Sequence, residues 1–206
     1  MTALLSQDHP FVKTSPGAEA IFHCRARQAM HPFTQSRESM EEYYALLIKS
    51  YWASAEHLPT LRRLAGQCDT VAELGTYDGN SAFAMMMGEP KKMVSVDIID
   101  CRFQHHLEAV AEFFDIDLVT LRGDSRIADI GPVDMLYIDS EHTYRQVYDE
   151  LKQHIDNVGK YLVFHDTCSF PKIRQAIHEV ADKDFELIES YINNYGLWVM
   201  KRRPSD

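Results

Sequence analysis

The sequence predicts an α/β fold: a doubly wound, mostly parallel sheet of seven strands with an N-terminal helical arm. The chain has 206 residues, 45% of them hydrophobic and 25% charged, which is typical of one packed globular domain. After Cys68, short β-rich runs alternate with helical segments, the pattern of a parallel sheet covered by helices. The last two β-rich runs follow each other without a helix, which indicates a terminal hairpin-like pair.

Residues 1–66 are interpreted as the arm and its helices. The first 36 residues have little periodicity, so an irregular or partly helical arm is expected there. A helix is then predicted, with Ser39 as N-cap and Glu42 three residues later as in a capping box. Its apolar face favours a homodimer and comprises Tyr43, Leu46, Leu47 and Ile48. A second short helix is predicted over Ser54–Ala65.

Residues 67–206 are predicted to form the sheet and its covering helices. The predicted strands are Thr70–Gly75, Met93–Asp97, Asp117–Arg122, Val133–Asp139, Lys160–Asp166, Phe185–Ser190 and Gly196–Lys201. The predicted helices cover residues 80–88, 104–114, 143–156 and 171–182.

Composition excludes several kinds of partner. Lys and Arg number 21 against 31 Asp and Glu, a net charge of -10, so no basic surface for nucleic acid is expected. No apolar run approaches the roughly 20 residues of a membrane-spanning helix, and the N-terminus lacks the layout of a secretory signal. The four cysteines form no Cys-x-x-Cys pair, which favours reduced thiols. A cytoplasmic protein without a nucleic-acid or membrane partner is predicted.

Two glycines follow the first predicted strand and precede a helix. Gly75 permits a positive φ or the close approach of a ligand, and Gly79 permits the turn into the helix. Asp97 ends the next strand 22 residues after Gly75, where a carboxylate can accept the hydroxyls of a ribose. The dinucleotide fingerprint would need glycine at positions 77 and 80, and no P-loop motif is present. A nucleoside-bearing cofactor without a pyrophosphate is therefore favoured.

This stretch resembles the first motif of the class I S-adenosylmethionine-dependent methyltransferases, an acidic residue followed by x-G-x-x-x-G, at Glu73, Gly75 and Gly79. Asp97 matches the second motif of that family, an acidic strand end. The resemblance implies a Rossmann-like domain that binds S-adenosyl-L-methionine, with Asp97 on the ribose and Asp124 beside the adenine. The residues expected at the cofactor are Glu73, Gly75, Thr76, Tyr77, Asp78, Gly79, Ser81, Asp97, Ile98, Asp124, Ser125 and Asp139.

Four titratable residues follow the fourth and fifth predicted strands: Asp139, His142, His165 and Asp166. Because the carboxyl ends of neighbouring parallel strands meet at one edge of the sheet, these side chains are expected to converge beside the glycine loop. Such a cluster indicates mutual pairing, a metal site or catalysis.

The run D-S-E-H-T-Y, followed by a helix and a strand ending in H-D-T, resembles a branch of those methyltransferases grouped with cephalosporin-hydroxylase-like and macrolide sugar O-methyltransferases. In metal-dependent relatives, carboxylates at these strand ends bind magnesium, which implies a divalent metal at Asp139 and Asp166 with His165 or His142. Histidine at position 165, where the macrolide group has a carboxylate, favours manganese, iron or zinc over magnesium (Mg). The expected ligand set is Asp139, His165 and Asp166.

The reaction implied is methyl transfer from S-adenosyl-L-methionine to a hydroxyl of a small molecule, a sugar or a secondary metabolite. His142 is expected to accept the proton, with His165 as the second candidate and Asp139 beside them, because the ordinary histidine pKa of about 6.5 suits that role. A metal would instead lower the pKa of the hydroxyl by coordination. An amine acceptor, a metal-dependent enzyme of another class, a non-catalytic S-adenosylmethionine-binding module and purely structural histidines remain as alternatives.

Overall fold

The computed structural model describes residues 36–50 and 54–204. The helices are α1 (Arg37–Leu47), α2 (Leu58–Ala65), α3 (Asn80–Met86), α4 (Gln104–Phe114), α5 (Tyr144–His154) and α6 (Pro171–Ala181). The strands are β1 (Thr70–Leu74), β2 (Lys92–Asp97), β3 (Asp117–Arg122), β4 (Val133–Ile138), β5 (Val158–His165), β6 (Phe185–Tyr191) and β7 (Leu197–Arg202). All seven predicted strands are confirmed, with boundaries that differ by at most two residues.

The described strands form a seven-stranded sheet in the order β3-β2-β1-β4-β5-β7-β6. Strands β1 to β5 pair in parallel, whereas β7 runs antiparallel to both β5 and β6. This confirms the predicted doubly wound, mostly parallel sheet. The strand order reverses at β1, which has β2 on one side and β4 on the other, and ligands of such sheets bind at the carboxyl ends of the strands beside that reversal.

Apolar side chains cover both faces of the sheet. The layer against α1 to α4 includes Tyr43, Met85 and Met86, all at most 3% exposed. The layer against α5 and α6 includes Leu151 and Ile177, which are both fully buried. Burial on both faces explains why the central strands read as continuous apolar runs, and it fixes their carboxyl ends in place.

Helix α1 begins three residues earlier than its predicted cap implies. Ser36 is the N-cap, with extended backbone, and its Oγ accepts a hydrogen bond from the backbone N–H of Ser39 at 3.2 Å. The prediction of Ser39 as cap is therefore wrong, because Ser36 meets the first free N–H groups of the helix. The Tyr43 ring packs edge-on against Phe83 of α3 at 5.0 Å, so this apolar face is covered within the chain. The homodimer inferred from it stays a prediction.

The second predicted helix is divided into two parts. A 3-10 turn over Ala55–His57 precedes α2, because Pro59 is tolerated only in the first turn of a helix. The longest helices of the described residues have 11 residues. None of these helices has the length and apolar character needed to cross a membrane.

Candidate active site

A crevice of about 520 Å³ opens at the carboxyl ends of the central strands, within the range of roughly 300–1,000 Å³ typical of small-molecule sites. The predicted cofactor residues that line it are Gly75, Tyr77, Asp97, Ile98, Asp124, Ser125 and Asp139. The lining residues that the sequence interpretation missed are Val96, Gly123, Arg126, Ser140, Glu141 and Gln146. Three of these lie within seven residues of Asp139, so proximity to that strand end was the available signal.

The turn after β1 depends on its two glycines. Gly75 has a φ of +94°, and a Cβ atom there would lie 2.3 Å from the backbone carbonyl oxygen of Asp139. Gly79 has a φ of +84° and lies against Cys101 and Leu107, which a Cβ atom would approach to 3.1 Å. Only glycine combines this conformation with this proximity. Gly75 thus allows close contact with the end of β4, and it also lines the crevice.

Asp97 organises the same turn through its carboxylate. Its Oδ2 atom accepts hydrogen bonds from the backbone N–H groups of Thr76 at 2.9 Å and Tyr77 at 2.8 Å. Its Oδ1 atom accepts one from the N–H of Ile99 at 3.1 Å. Because a carboxylate has about four acceptor positions, one position remains for a ligand. Asp97 therefore keeps acceptor capacity for a ribose hydroxyl.

Five predicted cofactor residues lie outside the crevice lining: Glu73, Thr76, Asp78, Gly79 and Ser81. Glu73 is fully buried beneath the turn and accepts a hydrogen bond from the hydroxyl of Ser81. Burial raises the pKa of Glu73 to about 8. The acidic residue of the motif therefore supports the glycine turn from the protein interior.

The loop after β3 forms the opposite wall of the crevice. Asp124 binds the guanidinium group of Arg126, with the shortest contact at 2.6 Å, and this hydrogen bonding lowers the pKa of Asp124 to about 2. Ser125 is buried, and its hydroxyl donates to Glu150 of α5 at 2.5 Å. Both side chains at this wall are therefore engaged within the protein.

The four titratable residues at the ends of β4 and β5 do converge, and we call them the histidine–aspartate cluster: Asp139, His142, His165 and Asp166. The Nε2 atom of His142 lies 2.7 Å from an oxygen of Asp166 and 3.5 Å from one of Asp139. The Nδ1 atom of His165 lies 3.0 Å and 3.3 Å from the same two oxygens. Each carboxylate is therefore placed between two imidazoles.

Neighbouring groups fix this arrangement. The phenol of the buried Tyr137 donates to Asp139 at 2.9 Å, and the ring of Phe170 stacks on His142 with centroids 4.9 Å apart. Asp166 has a φ of +61°, a left-handed conformation that aspartate tolerates better than most residues. These contacts help to fix the positions of the side chains in the cluster.

The cluster has strongly perturbed protonation. Burial disfavours the charged ring, but the flanking carboxylates raise the pKa of His142 to about 9 and that of His165 to about 10. Burial acts to raise the pKa of Asp139 and Asp166, but the two imidazoles hold both values below the usual range. At neutral pH the cluster therefore holds two positive and two negative charges. The ordinary histidine pKa assumed from the sequence does not apply here.

Three members of the cluster also form a candidate metal site. Asp139, His142 and Asp166 each offer one ligand atom, and these atoms lie within 4.8 Å of one another. The Nε2 atom of His142 is buried and has no aligned hydrogen bond among the described residues, although it faces both carboxylates. Two carboxylates and one imidazole suit manganese, iron or zinc. The expected ligand set had His165 in place of His142, but the Nδ1 atom of His165 hydrogen-bonds to Asp166.

Comparison with protein families gives a match that spans these residues. Residues 72–167 match a family model described as a methyltransferase domain. The match begins in β1 and ends just after Asp166, so it covers both the glycine turn and the histidine–aspartate cluster. No curated protein matches the sequence significantly.

Solved structures share the fold at low sequence identity. An O-methyltransferase from Bacillus cereus in complex with SAH is 11% identical, with a TM-score of 0.60, over 87% of this chain and 97% of that chain. The cofactor-bound protein Rv0187 from MTB is 13% identical, with a TM-score of 0.59, over 94% and 100% of the two chains. A ribosomal protein L11 methylase from Lactobacillus delbrueckii subsp. bulgaricus is 19% identical, with a TM-score of 0.54, over 72% and 79%. By its sheet, its motifs and its match to the methyltransferase-domain model over residues 72–167, the chain resembles the class I S-adenosylmethionine-dependent methyltransferases.

Proposed function

We propose that the chain binds S-adenosyl-L-methionine in the crevice and transfers its methyl group to a hydroxyl of a small molecule at the histidine–aspartate cluster. The observation that carries this proposal is the position of Asp139, which lines the crevice and also belongs to the cluster. A methyl donor in the crevice and an acceptor at the cluster would therefore be neighbours. Methyl transfer requires that proximity, because the acceptor atom must attack in line with the methyl–sulfur bond.

The crevice fits the donor in charge and in polarity. Asp97, Asp124, Asp139 and Glu141 bring four carboxylates to its walls against the single guanidinium of Arg126. A cationic sulfonium is favoured there, whereas the pyrophosphate of a dinucleotide would be repelled.

Ile98, directly after the ribose-binding candidate Asp97, supplies an apolar wall to the crevice. Ile98 lines the crevice and is 71% exposed. A purine base that packs on it would remove this surface from water. The bound donor would supply an activated methyl group, and Asp97 would hold one hydroxyl of its ribose.

Exposure distinguishes the two histidines as proton acceptors. The side chain of His142 is 36% exposed, whereas that of His165 is 1% exposed. Only His142 can therefore contact an acceptor hydroxyl, and His165 would position Asp139 and Asp166. With a pKa of about 9, roughly one His142 ring in a hundred is neutral at pH 7. Proton acceptance by His142 would therefore become more effective as the pH rises.

A divalent cation would offer a second route to the same reaction. Asp139, His142 and Asp166 would hold it, and coordination would lower the pKa of the acceptor hydroxyl. Both versions use the imidazole of His142, and a metal-binding measurement separates them.

The charge of the chain supports a small acceptor. A net charge of -10 disfavours a polyanionic acceptor such as RNA. The hydroxyl acceptor is supported by the resemblance of the Asp139–Tyr144 run to O-methyltransferases, and by the name of the Bacillus cereus structure.

Calorimetry with the full chain tests the donor. We expect binding of S-adenosyl-L-methionine and no measurable binding of NAD. The acceptor class is tested by incubating the chain with methyl-labelled donor and a metabolite extract. The label should appear as O-methyl groups on molecules below about 1 kDa. Preference for NAD would refute the donor assignment, and label in RNA, protein or N-methyl groups would refute the acceptor assignment.

Manganese titration, followed by electron paramagnetic resonance of the free ion, tests the metal route. We expect binding that is lost in Asp166→Asn. The exposed pair His178 and Asp182, with an N···O distance of 2.9 Å, provides a matched control, so His178→Ala should leave binding unchanged. Equal manganese binding by wild type and Asp166→Asn would eliminate the metal route.

A further inference from the structure

A buried carboxylate on α5 organises one end of the crevice. Glu150 is fully buried, and its Oε1 atom accepts hydrogen bonds from three side chains. The donors are the hydroxyl of Ser125 at 2.5 Å, the hydroxyl of Ser140 at 2.6 Å and the amide Nε2 of Gln146 at 2.9 Å. Ser125, Ser140 and Gln146 all line the crevice, whereas Glu150 lies behind them.

This network determines which way the Gln146 amide points. Its Nε2 atom donates to Glu150 and also to the Ser125 hydroxyl at 3.0 Å, so both amide hydrogens are used inside the protein. If the amide were turned over, its carbonyl oxygen would face the Oε1 atom of Glu150, which is itself an acceptor. The carbonyl oxygen of Gln146 is therefore directed away from Glu150.

The orientation does not depend on the protonation of Glu150. Burial raises the pKa of this carboxyl, although the hydrogen bonds from its partners oppose that effect. Its Oε1 atom already accepts three hydrogen bonds, whereas Oε2 is buried without a partner among the described residues. A proton would therefore reside on Oε2, and Oε1 would remain the acceptor for Gln146.

Two other side chains at this wall already hold hydrogen bonds within the protein. Asp124 is paired with Arg126, with N···O distances down to 2.6 Å. The Ser125 hydroxyl donates to Glu150 and accepts from Gln146. No hydrogen bond within the described residues involves the Oε1 atom of Gln146. Because Gln146 lines the crevice and its amide nitrogen is held inside the protein, this oxygen is an oriented acceptor without a partner among the described residues.

We propose that Gln146, held by Glu150, selects the adenine base of the methyl donor by accepting a hydrogen bond from its exocyclic amino group. This inference rests on the proposed function. With the methyl group toward the histidine–aspartate cluster, the base would lie between Ile98 and the Ser125 loop, which Gln146 contacts. A base with an oxygen at position 6 would place that acceptor against the carbonyl oxygen of Gln146. Binding of such a base is therefore disfavoured.

Calorimetry with two probes tests this selection. S-adenosyl-L-homocysteine carries the amino group, and S-inosyl-L-homocysteine carries an oxygen in its place. We expect wild type to bind the adenosyl compound about tenfold more tightly, the size of one well-placed hydrogen bond. Gln146→Leu should reduce this ratio to about twofold or less. Gln153→Leu, at an exposed position of the same helix, should keep the wild-type ratio.

Substitution of Glu150 tests whether its oxygen, rather than its charge, orients the Gln146 amide. Glu150→Gln still offers a carbonyl oxygen to the three donors, so it should keep the wild-type ratio. A wild-type ratio in folded Gln146→Leu, or equal binding of the two probes by wild type, would overturn the selection by Gln146. Failure of wild type to bind the adenosyl compound would overturn the proposed function and this inference with it.

Discussion

The buried carboxyl beneath the glycine turn should make stability depend on pH in a defined window. Burial raises the pKa of Glu73 to about 8 in the folded chain, against about 4.5 for an exposed glutamate. The folded state therefore keeps its proton where the unfolded state has released it. The stability associated with this proton is fully present below pH 4.5 and is lost as the pH rises through 8.

Glu73→Gln removes the titrating group and keeps an acceptor for the Ser81 hydroxyl. Linkage between these two pKa values predicts that wild type loses roughly 3 kcal/mol of unfolding free energy relative to the variant between pH 5 and pH 8. Urea unfolding of both proteins across this range measures the difference, and titrations common to both cancel. A difference that stays constant with pH would refute the assignment of a protonated Glu73.

Further substitutions test the turn and the cluster. Asp97→Ala should abolish donor binding and weaken the turn, because three backbone N–H groups lose their acceptor. Calorimetry should then show no heat of donor binding, and thermal unfolding should show a lower stability. Gly75→Ala should lower the free energy of unfolding, measured in urea, by several kcal/mol. Gly131 has a φ of +63° and no atom within 4 Å of a new Cβ, so Gly131→Ala should lower it by about 1 kcal/mol. If neutral His142 accepts the proton, methyl transfer should increase with pH up to about 9, and a flat profile would contradict that role.

Local pattern sufficed for the elements and for the position of the site. The alternation of β-rich and helical runs predicted the sheet, because strands buried on both faces and amphipathic helices have different periods. The spacing of Gly75 and Asp97 predicted the crevice, because parallel strands bring their carboxyl ends to one edge. Both signals come from residue types and their spacing along the chain.

Interactions between distant segments were not predictable in this way. Glu150 looks like one polar residue on an amphipathic helix, and only the fold brings it to Ser125, 25 positions earlier. The raised pKa values of His142 and His165 likewise depend on two carboxylates placed within 3.5 Å by separate strands. Sequence identifies such residues, but burial and distance decide their protonation and orientation.

The energetics of the histidine–aspartate cluster argue that it is kept for function rather than for stability. Partly buried ion pairs cost about as much in lost hydration as they return in attraction, so apolar residues of similar volume would stabilise this edge equally well. Asp166 adds a left-handed backbone conformation, which non-glycine residues adopt at an energetic cost. The partly exposed ring of His142 leaves the cluster accessible beside the crevice. A costly, ordered and accessible set of charges next to the crevice proposed for the methyl donor is the arrangement expected of groups that act on a second substrate.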